Sequence, residues 1–211
     1  QLPTAFAQSN PDLSGLLSIL NTTPEGTWVQ VNLNSYSEAW TPAELRPLYL
    51  SSNPDPSKIT YAWPSFSWDS NRGDLILYGG GHANYSGNDV YRWRGTTRKW
   101  ERAALPSEIL LNPPGFYTPI DGADAGPPSS HTYDNSVFLP IIDRVMIFGG
   151  AAFNTGGPYA RMNADGVTYR NTGPYLFDPA KADPNKVGGT TGSHVKRVAP
   201  HPEIVGGNMW T

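Results

Sequence analysis

Cysteine is absent from the 211 residues, which excludes a disulfide framework, a zinc–thiolate site and a cysteine nucleophile. Charge is scarce as well. Charged residues make up 16% of the chain, below the roughly 25% of soluble domains. The formal net charge is -3, and no basic block occurs anywhere. Duplex nucleic acid needs clustered Lys and Arg to meet its phosphates, so that class of partner is disfavoured. No apolar run approaches the ~18–20 residues of a membrane span. Ala5-Phe6-Ala7 imitates a signal cleavage site, but no basic and apolar stretch precedes it, so it is expected to belong to the mature chain.

What the chain has instead is turn residues and aromatics. It carries 22 Gly and 21 Pro beside 7 Trp, 11 Tyr and 7 Phe. The first pair suits a loop-rich all-β protein, and the aromatics supply the buried surface that a disordered chain lacks.

The organising stretch is Tyr61 to Arg102. Ser65-Phe66-Ser67-Trp68, Asp74-Leu75-Ile76-Leu77-Tyr78, Asn88-Asp89-Val90-Tyr91-Arg92-Trp93 and Lys99-Trp100-Glu101-Arg102 read as four short strands. Turn residues separate them at 69–73 and 94–98, with Gly79-Gly80-Gly81 after the second. The unit recurs. Ser130 to Asp134 matches the first strand in its aromatic-Asp ending. Arg144 to Gly150 matches Asp74 to Gly80, and Tyr175-Leu176-Phe177-Asp178 matches the third strand. Asp69 and Asp134 then occupy matching places, which predicts a turn role rather than an acid–base pair. Gly79 and Gly149 lie 70 residues apart, more than the roughly 50 of a kelch period or about 40–45 of WD40. The loop from Ala103 to Ser129 holds the excess.

An apolar strand ending in Gly-Gly, an aromatic strand and then a Trp strand resemble the Kelch repeat of galactose-oxidase-like β-propellers. The resemblance covers Tyr61 to about Arg197, and an ordinary β-sandwich with Gly-rich turns is the alternative. Glycine fits where the chain turns with φ above zero and a side chain would strike its neighbour. The expected fold is therefore all-β: a partial Kelch-type β-propeller of two blades plus fragments, with a short helical N-terminal segment. Residues 1–60 form that segment, and 61–211 the blades: 61–102, 130–198 and the start of a third from about 200, where Val205-Gly206-Gly207 repeats the apolar-Gly-Gly ending. Propellers need about four to eight blades, so the resemblance implies either that these residues are part of a longer propeller or that other protein chains complete the ring.

In the N-terminal segment, Asn10-Pro11-Asp12 precedes Leu13, Leu16, Leu17 and Leu20, the spacing of a short amphipathic helix. Trp28 to Leu33 alternates with period two and is expected to be a strand that completes the last blade. Thr41-Pro42-Ala43-Glu44 reads as a capping box opening a short helix.

Blade geometry predicts that loops 81–87, 103–129 and 151–173 gather on one face, while 69–73 and 94–98 lie on the other. Long aromatic loops on one face of a rigid scaffold read as a binding surface. The candidate binding residues are His82, Tyr85, Phe116, Tyr117, His131, Phe153, Tyr159 and Tyr169. The four histidines show no metal spacing, and no metal or other cofactor is expected. The copper-radical chemistry of the family needs a Tyr–Cys crosslink, which this chain cannot form. Asp121 and Asp124 miss the calcium-loop pattern, and no nucleophile-elbow, P-loop or dinucleotide fingerprint occurs.

The expected function is a non-catalytic recognition or structural module. It would bind a carbohydrate or a protein partner and would be extracellular or virion-associated, a setting that rests on the Kelch-like resemblance alone. The alternative is a secreted carbohydrate-active oxidase or lyase whose catalytic residues lie largely outside these residues.

Overall fold

The Asp- and Gly-rich turns at 69–73 and 94–98 fold the first repeat into one antiparallel sheet in chain order. Its strands are β1 (Ser65–Asp69), β2 (Asp74–Tyr78), β3 (Val90–Arg94) and β4 (Lys99–Ala104). The computed structural model describes residues 10–47, 55–80, 85–112, 115–153, 155–190, 194–195 and 204–211. Asp69 accepts the backbone N–H of Asn71 (3.0 Å) and of Arg72 (3.1 Å), which closes the first turn. The pleat then sorts side chains by parity. Trp68, Leu75, Trp93 and Trp100 stand opposite one another on one face, and Ser67, Ile76, Arg92 and Glu101 on the other.

After β4 come the hairpin β5 (Ile109–Asn112) and β6 (Phe116–Pro119), then β7 (Ser130–His131), β8 (Ser136–Leu139), β9 (Arg144–Ile147) and β10 (Ala151–Ala152). The hairpin β11 (Ala160–Met162) and β12 (Tyr169–Asn171), β13 (Tyr175–Phe177), and the pair β14 (His194–Val195) and β15 (Ile204–Val205) complete the order. β8, β9 and β13 form the second sheet with β9 central. Residues 209–211 lengthen it. Leu176 N–H donates to Thr211 O (2.7 Å), Thr211 N–H to Leu176 O (2.9 Å), and Trp210 bridges Phe177.

The two sheets are built alike. Trp93 opposes Trp100 in the first and Phe177 opposes Trp210 in the second. Asp74 pairs with Arg94 (3.3 Å), and Arg144, which lies 70 residues after Asp74, pairs with Asp178 (3.0 Å), so the charges are exchanged. Their first strands lie side by side, with Ser65 Oγ 2.6 Å from Ser136 Oγ. The main core fills the space between them. Ile76, Tyr78 and Val90 of the first sheet meet Phe138, Val145, Ile147, Phe177 and Trp210 of the second. Each such side chain contributes about 1.5–3 kcal/mol on leaving water. A smaller core of Ile59, Leu77, Tyr85 and Tyr91 lies apart, with Tyr36 and Trp100 at its edge.

Four expectations change. Residues 28–33 form no strand, and Trp28 is fully exposed. The edge of β4 is satisfied by a side chain instead: Asn34 Oδ1 accepts Trp100 N–H (2.7 Å) and Asn34 Nδ2 donates to Trp100 O (3.0 Å). The first strand of the second sheet is Ser136–Leu139 rather than 130–134, because β7 pairs with β10 and the chain then turns at Tyr133 (φ 49°). Asp134 is consequently exposed and does not share the place of Asp69. The stretch from about 200 starts no third unit within the described residues. β15 pairs with β14, and Trp210 returns into the core of the second sheet. The short helix expected after Thr41 forms as a 3-10 turn of helix, Ala43–Leu45, but Thr41 does not cap it, because its hydroxyl is buried on Asp89.

The predicted N-terminal helix forms as α1 (Ser14–Thr22), with Asp12 accepting the N–H of Ser14 (3.0 Å). Leu13 docks on the turn at Gly73, whereas Leu17 and Leu20 remain exposed. Among the described residues no helix is long and apolar enough to cross a membrane.

Candidate functional site

The strand-ending glycines place the site. At Gly79 (φ 123°) an added Cβ would stand 2.7 Å from Ser130 O, and at Gly150 (φ 131°) it would stand 2.1 Å from His131 O. Residues 130–132 therefore run hard across the ends of β2 and β9, and only glycine admits that approach. Gly80 N–H donates to Ser130 O (2.7 Å) and Gly150 sits against His131, so one short strap ties both sheets at this end.

Described residues of the three long loops meet there. Ser129 Oγ donates to Tyr85 O (2.6 Å), and Phe153 N–H donates to Ser129 O (2.8 Å). Tyr78 OH donates to Pro128 O (2.6 Å). The rings of Phe116 and Tyr169 lie 5.0 Å apart, and those of Tyr117 and Phe153 5.1 Å.

Within this assembly the candidate residues separate into two groups. Tyr85, Phe153 and Tyr159 are buried. Tyr159 OH bonds to Ser130 Oγ beneath the strap, and Tyr85 OH reaches Asp89. These rings hold the loops from inside and present no face to solvent. Phe116, Tyr117 and His131 are half-buried, and Tyr169 is exposed. His82 lies outside the described residues. His131 is the one site histidine whose surroundings are defined, and it sits in an aromatic cluster. Trp63 lies 4.9 Å from it, and Tyr133 6.2 Å from it and 6.3 Å from Trp63.

Sequence reasoning missed Trp63 and had Tyr133 only as part of a strand. Both adopt left-handed backbone, at φ 61° and 49°, where bulky residues are uncommon. Tyr133 N–H donates to Trp63 O (2.8 Å), which locks the two turns together. Below them the Thr132 hydroxyl, fully buried, accepts the N–H of Ser65 (2.9 Å). Trp63 is 47% exposed and Tyr133 43%. The result is a rigid apolar shelf with a polar imidazole in its middle. The signal in sequence was weak: a Trp before Pro64, and a Tyr before a turn acid.

A second polar centre lies deeper. Asp89 is fully buried and accepts hydrogen bonds from Thr41 Oγ1 (2.7 Å), Tyr91 OH (2.5 Å) and Tyr85 OH (3.1 Å). Burial pushes this carboxyl above its ordinary range, although the three hydroxyls oppose the shift. Its partners are all internal, so the cluster ties the N-terminal segment to the first sheet rather than facing a ligand. A shallow recess of about 210 Å³, lined by Asp124, Arg170, Asn171 and Tyr175 among others, opens beside the β11–β12 hairpin. There Arg161 and Arg170 both pair with Asp124, so its charge is largely met within the chain. Among the described residues no group of His, Asp and Glu side chains could hold a metal ion.

Burial also raises the phenols of Tyr36, Tyr78, Tyr85, Tyr91, Tyr159 and Tyr175. Above the ordinary value of 10.0 the unfolded chain loses these protons while the folded chain keeps them. Stability is therefore intact below that pH and falls as pH rises beyond it. The expected result is that ultraviolet titration shows phenolate from these six rings only with cooperative unfolding. Full, reversible ionisation of the folded chain would contradict their placement.

Fold and site together define an all-β protein of stacked antiparallel sheets with an aromatic shelf at one end. Among the described residues the sheets do not close a ring. Comparison with family models, with curated proteins and with solved structures found no match.

Proposed function

We propose that this chain is a non-catalytic recognition module of Kelch-type propeller build. It binds a neutral carbohydrate on the shelf of Trp63, His131 and Tyr133, in an extracellular or virion setting. The observation that carries this reading is the pair of half-exposed aromatic rings held at φ 61° and 49° on either side of His131. Left-handed backbone at bulky residues is costly, and such strain collects at ligand-binding positions. Rigid aromatic faces offer large contact area at small entropic cost, and the apolar face of a sugar ring matches them. The propeller part of the reading is supported by the two like-built sheets, their adjacent first strands and the glycine ends of β2 and β9.

Calorimetric titration with a panel of neutral oligosaccharides tests the proposal. At least one is expected to bind, and Trp63→Ala and Tyr133→Ala are each expected to weaken it by about tenfold or more, equivalent to about 1.4 kcal/mol. Tyr169→Ala, whose ring packs on Phe116, is expected to leave affinity within about twofold. Binding that survives loss of both shelf rings would place the ligand elsewhere.

A further inference from the structure

The contact between the two sheets follows a rule that continues beyond them. The first sheet offers Ser67, Ile76 and Tyr78, and the second receives them with Phe138, Val145, Phe177 and Trp210. Strand pairing identifies the same two kinds of position on the outer faces. On the second sheet the offering positions are Val137, Met146 and Leu176, which pair across β8, β9 and β13. On the first sheet the receiving positions are Trp68, Leu75, Trp93 and Trp100. Val137, Phe66 and Trp68 are 38–44% exposed. One outer face thus presents the donor positions, and the other presents Phe66 and Trp68 of the acceptor face, where Trp93 is already buried and Trp100 already packs on Tyr36 within the chain.

The turns sharpen the match. Inside the chain the first sheet's turn is polar: Arg72 and Asn71 hydrogen-bond to Asp143 (2.6–2.9 Å) in the turn of the second sheet. The 70-residue offset places Ile141 and Ile142 where Asn71 and Arg72 stand, and Gly73 where Asp143 stands. Ile141 is 97% exposed and Ile142 52%. Gly73 offers no charge but is covered by Leu13, whose Cδ2 would lie 2.7 Å from a Cβ added there. The exposed donor turn is therefore apolar, and the place that Asp143 holds in the second sheet is taken in the first by Gly73 beneath Leu13. A partner with an acidic residue at that place would not suit Ile142, whereas a second copy of this chain does.

We infer that copies of this chain dock head to tail. The outer face of the second sheet, led by Val137, Ile141 and Ile142, seats on the Phe66, Trp68 and Leu13 end of the first sheet of the next copy. Such a heterologous contact uses two different patches and closes into a ring when its rotation permits. The inference rests on the propeller part of the proposed function and not on sugar recognition, so the two fail separately.

The mass of the full chain in solution, measured by light scattering over a range of concentrations, tests it. A defined oligomer is expected. Ile142→Arg and Trp68→Arg, at exposed positions on opposite faces, should each reduce self-assembly at least tenfold. Mixed together, the two variants should form a one-to-one pair, because each retains the face that the other has lost. Circular dichroism of each variant checks that it folds. Since the chain has no cysteine, Ile141→Cys and Trp68→Cys proteins provide a second reading, in which mixed crosslinks should exceed self-crosslinks. A monomer at every concentration would overturn the inference, even if it still binds sugar. So would variants that fail to pair on mixing, or dissociation by Ile142→Arg alone, which would mark a two-fold contact between second sheets.

Discussion

Replacing Trp210 with alanine is expected to lower the unfolding free energy by about 3–5 kcal/mol, the range for deleting a buried Trp. Its indole is 3% exposed and lies 5.3 Å from the ring of Tyr78 in the first sheet and 5.0 Å from that of Phe177 in the second. Gly188 adds to the fit, since a Cβ there would stand 2.5 Å from Trp210 Nε1. The residue thus joins both sheets and a crossing loop. Trp210 also sits on the outermost line of the second sheet, so its loss removes packing that holds residues 209–211 beside β13. Denaturant titration would measure the effect. Trp28→Ala is the matched control: Trp28 is fully exposed, and surface changes usually stay within about 0.5 kcal/mol. Equal losses from the two would show that Trp210 does not lie in the core.

The second large effect is expected at Arg72. Its guanidinium lies 2.9 Å from Asp69 and 2.6 Å from Asp143, joining the turns of the two sheets. Asp69 has no exposed side-chain surface. Burial pushes its carboxyl up even with Arg72 against it, because lost hydration outweighs what one guanidinium returns. Arg72 itself is held above its ordinary value by Asp143 first and then Asp69. Truncation to alanine strands a buried charge, at a cost of about 3–5 kcal/mol. Arg72→Ala and Asp143→Ala combined should fall short of the sum of the single changes, since both break one network. Strict additivity in that double-mutant cycle would mean the two turns are not coupled. Arg161→Ala offers a contrast. Its partner Asp124 is 67% exposed, and such surface pairs are worth about 1 kcal/mol or less.

Strand content was legible in the chain because period-two runs and turn residues are local. Asp74 to Tyr78 lies between Asn71-Arg72-Gly73 and a glycine run, and no partner is needed to read it as a strand. The glycine ends of β2 and β9 were legible for the same reason, since only a backbone with φ above zero explains paired glycines at repeated places. The expectation that the long loops meet at one end came from strand parity alone. The strand proposed at 28–33 failed because alternation does not supply a partner. Asn34 took the edge of β4 with a carboxamide, which no pattern of apolar residues announces.

The site was less legible. Loop aromatics could be picked out in the sequence, yet Tyr85, Phe153 and Tyr159 turn inward while Trp63 and Tyr133 lie at the surface. Burial depends on which chain crosses which, and the strap at 130–132 decided it by passing over Gly79 and Gly150. The second sheet shows the same division. Its apolar runs at 136–139, 144–147 and 175–177 could be read from composition, but its edge is residues 209–211, which a sequence scan assigns to a new unit. Local pattern determined the strands, turns and glycine positions of this protein, because those depend on neighbours a few residues away. Tertiary structure alone decided which aromatics face water and which strand lies at the edge, because those outcomes depend on contacts between residues far apart in the chain.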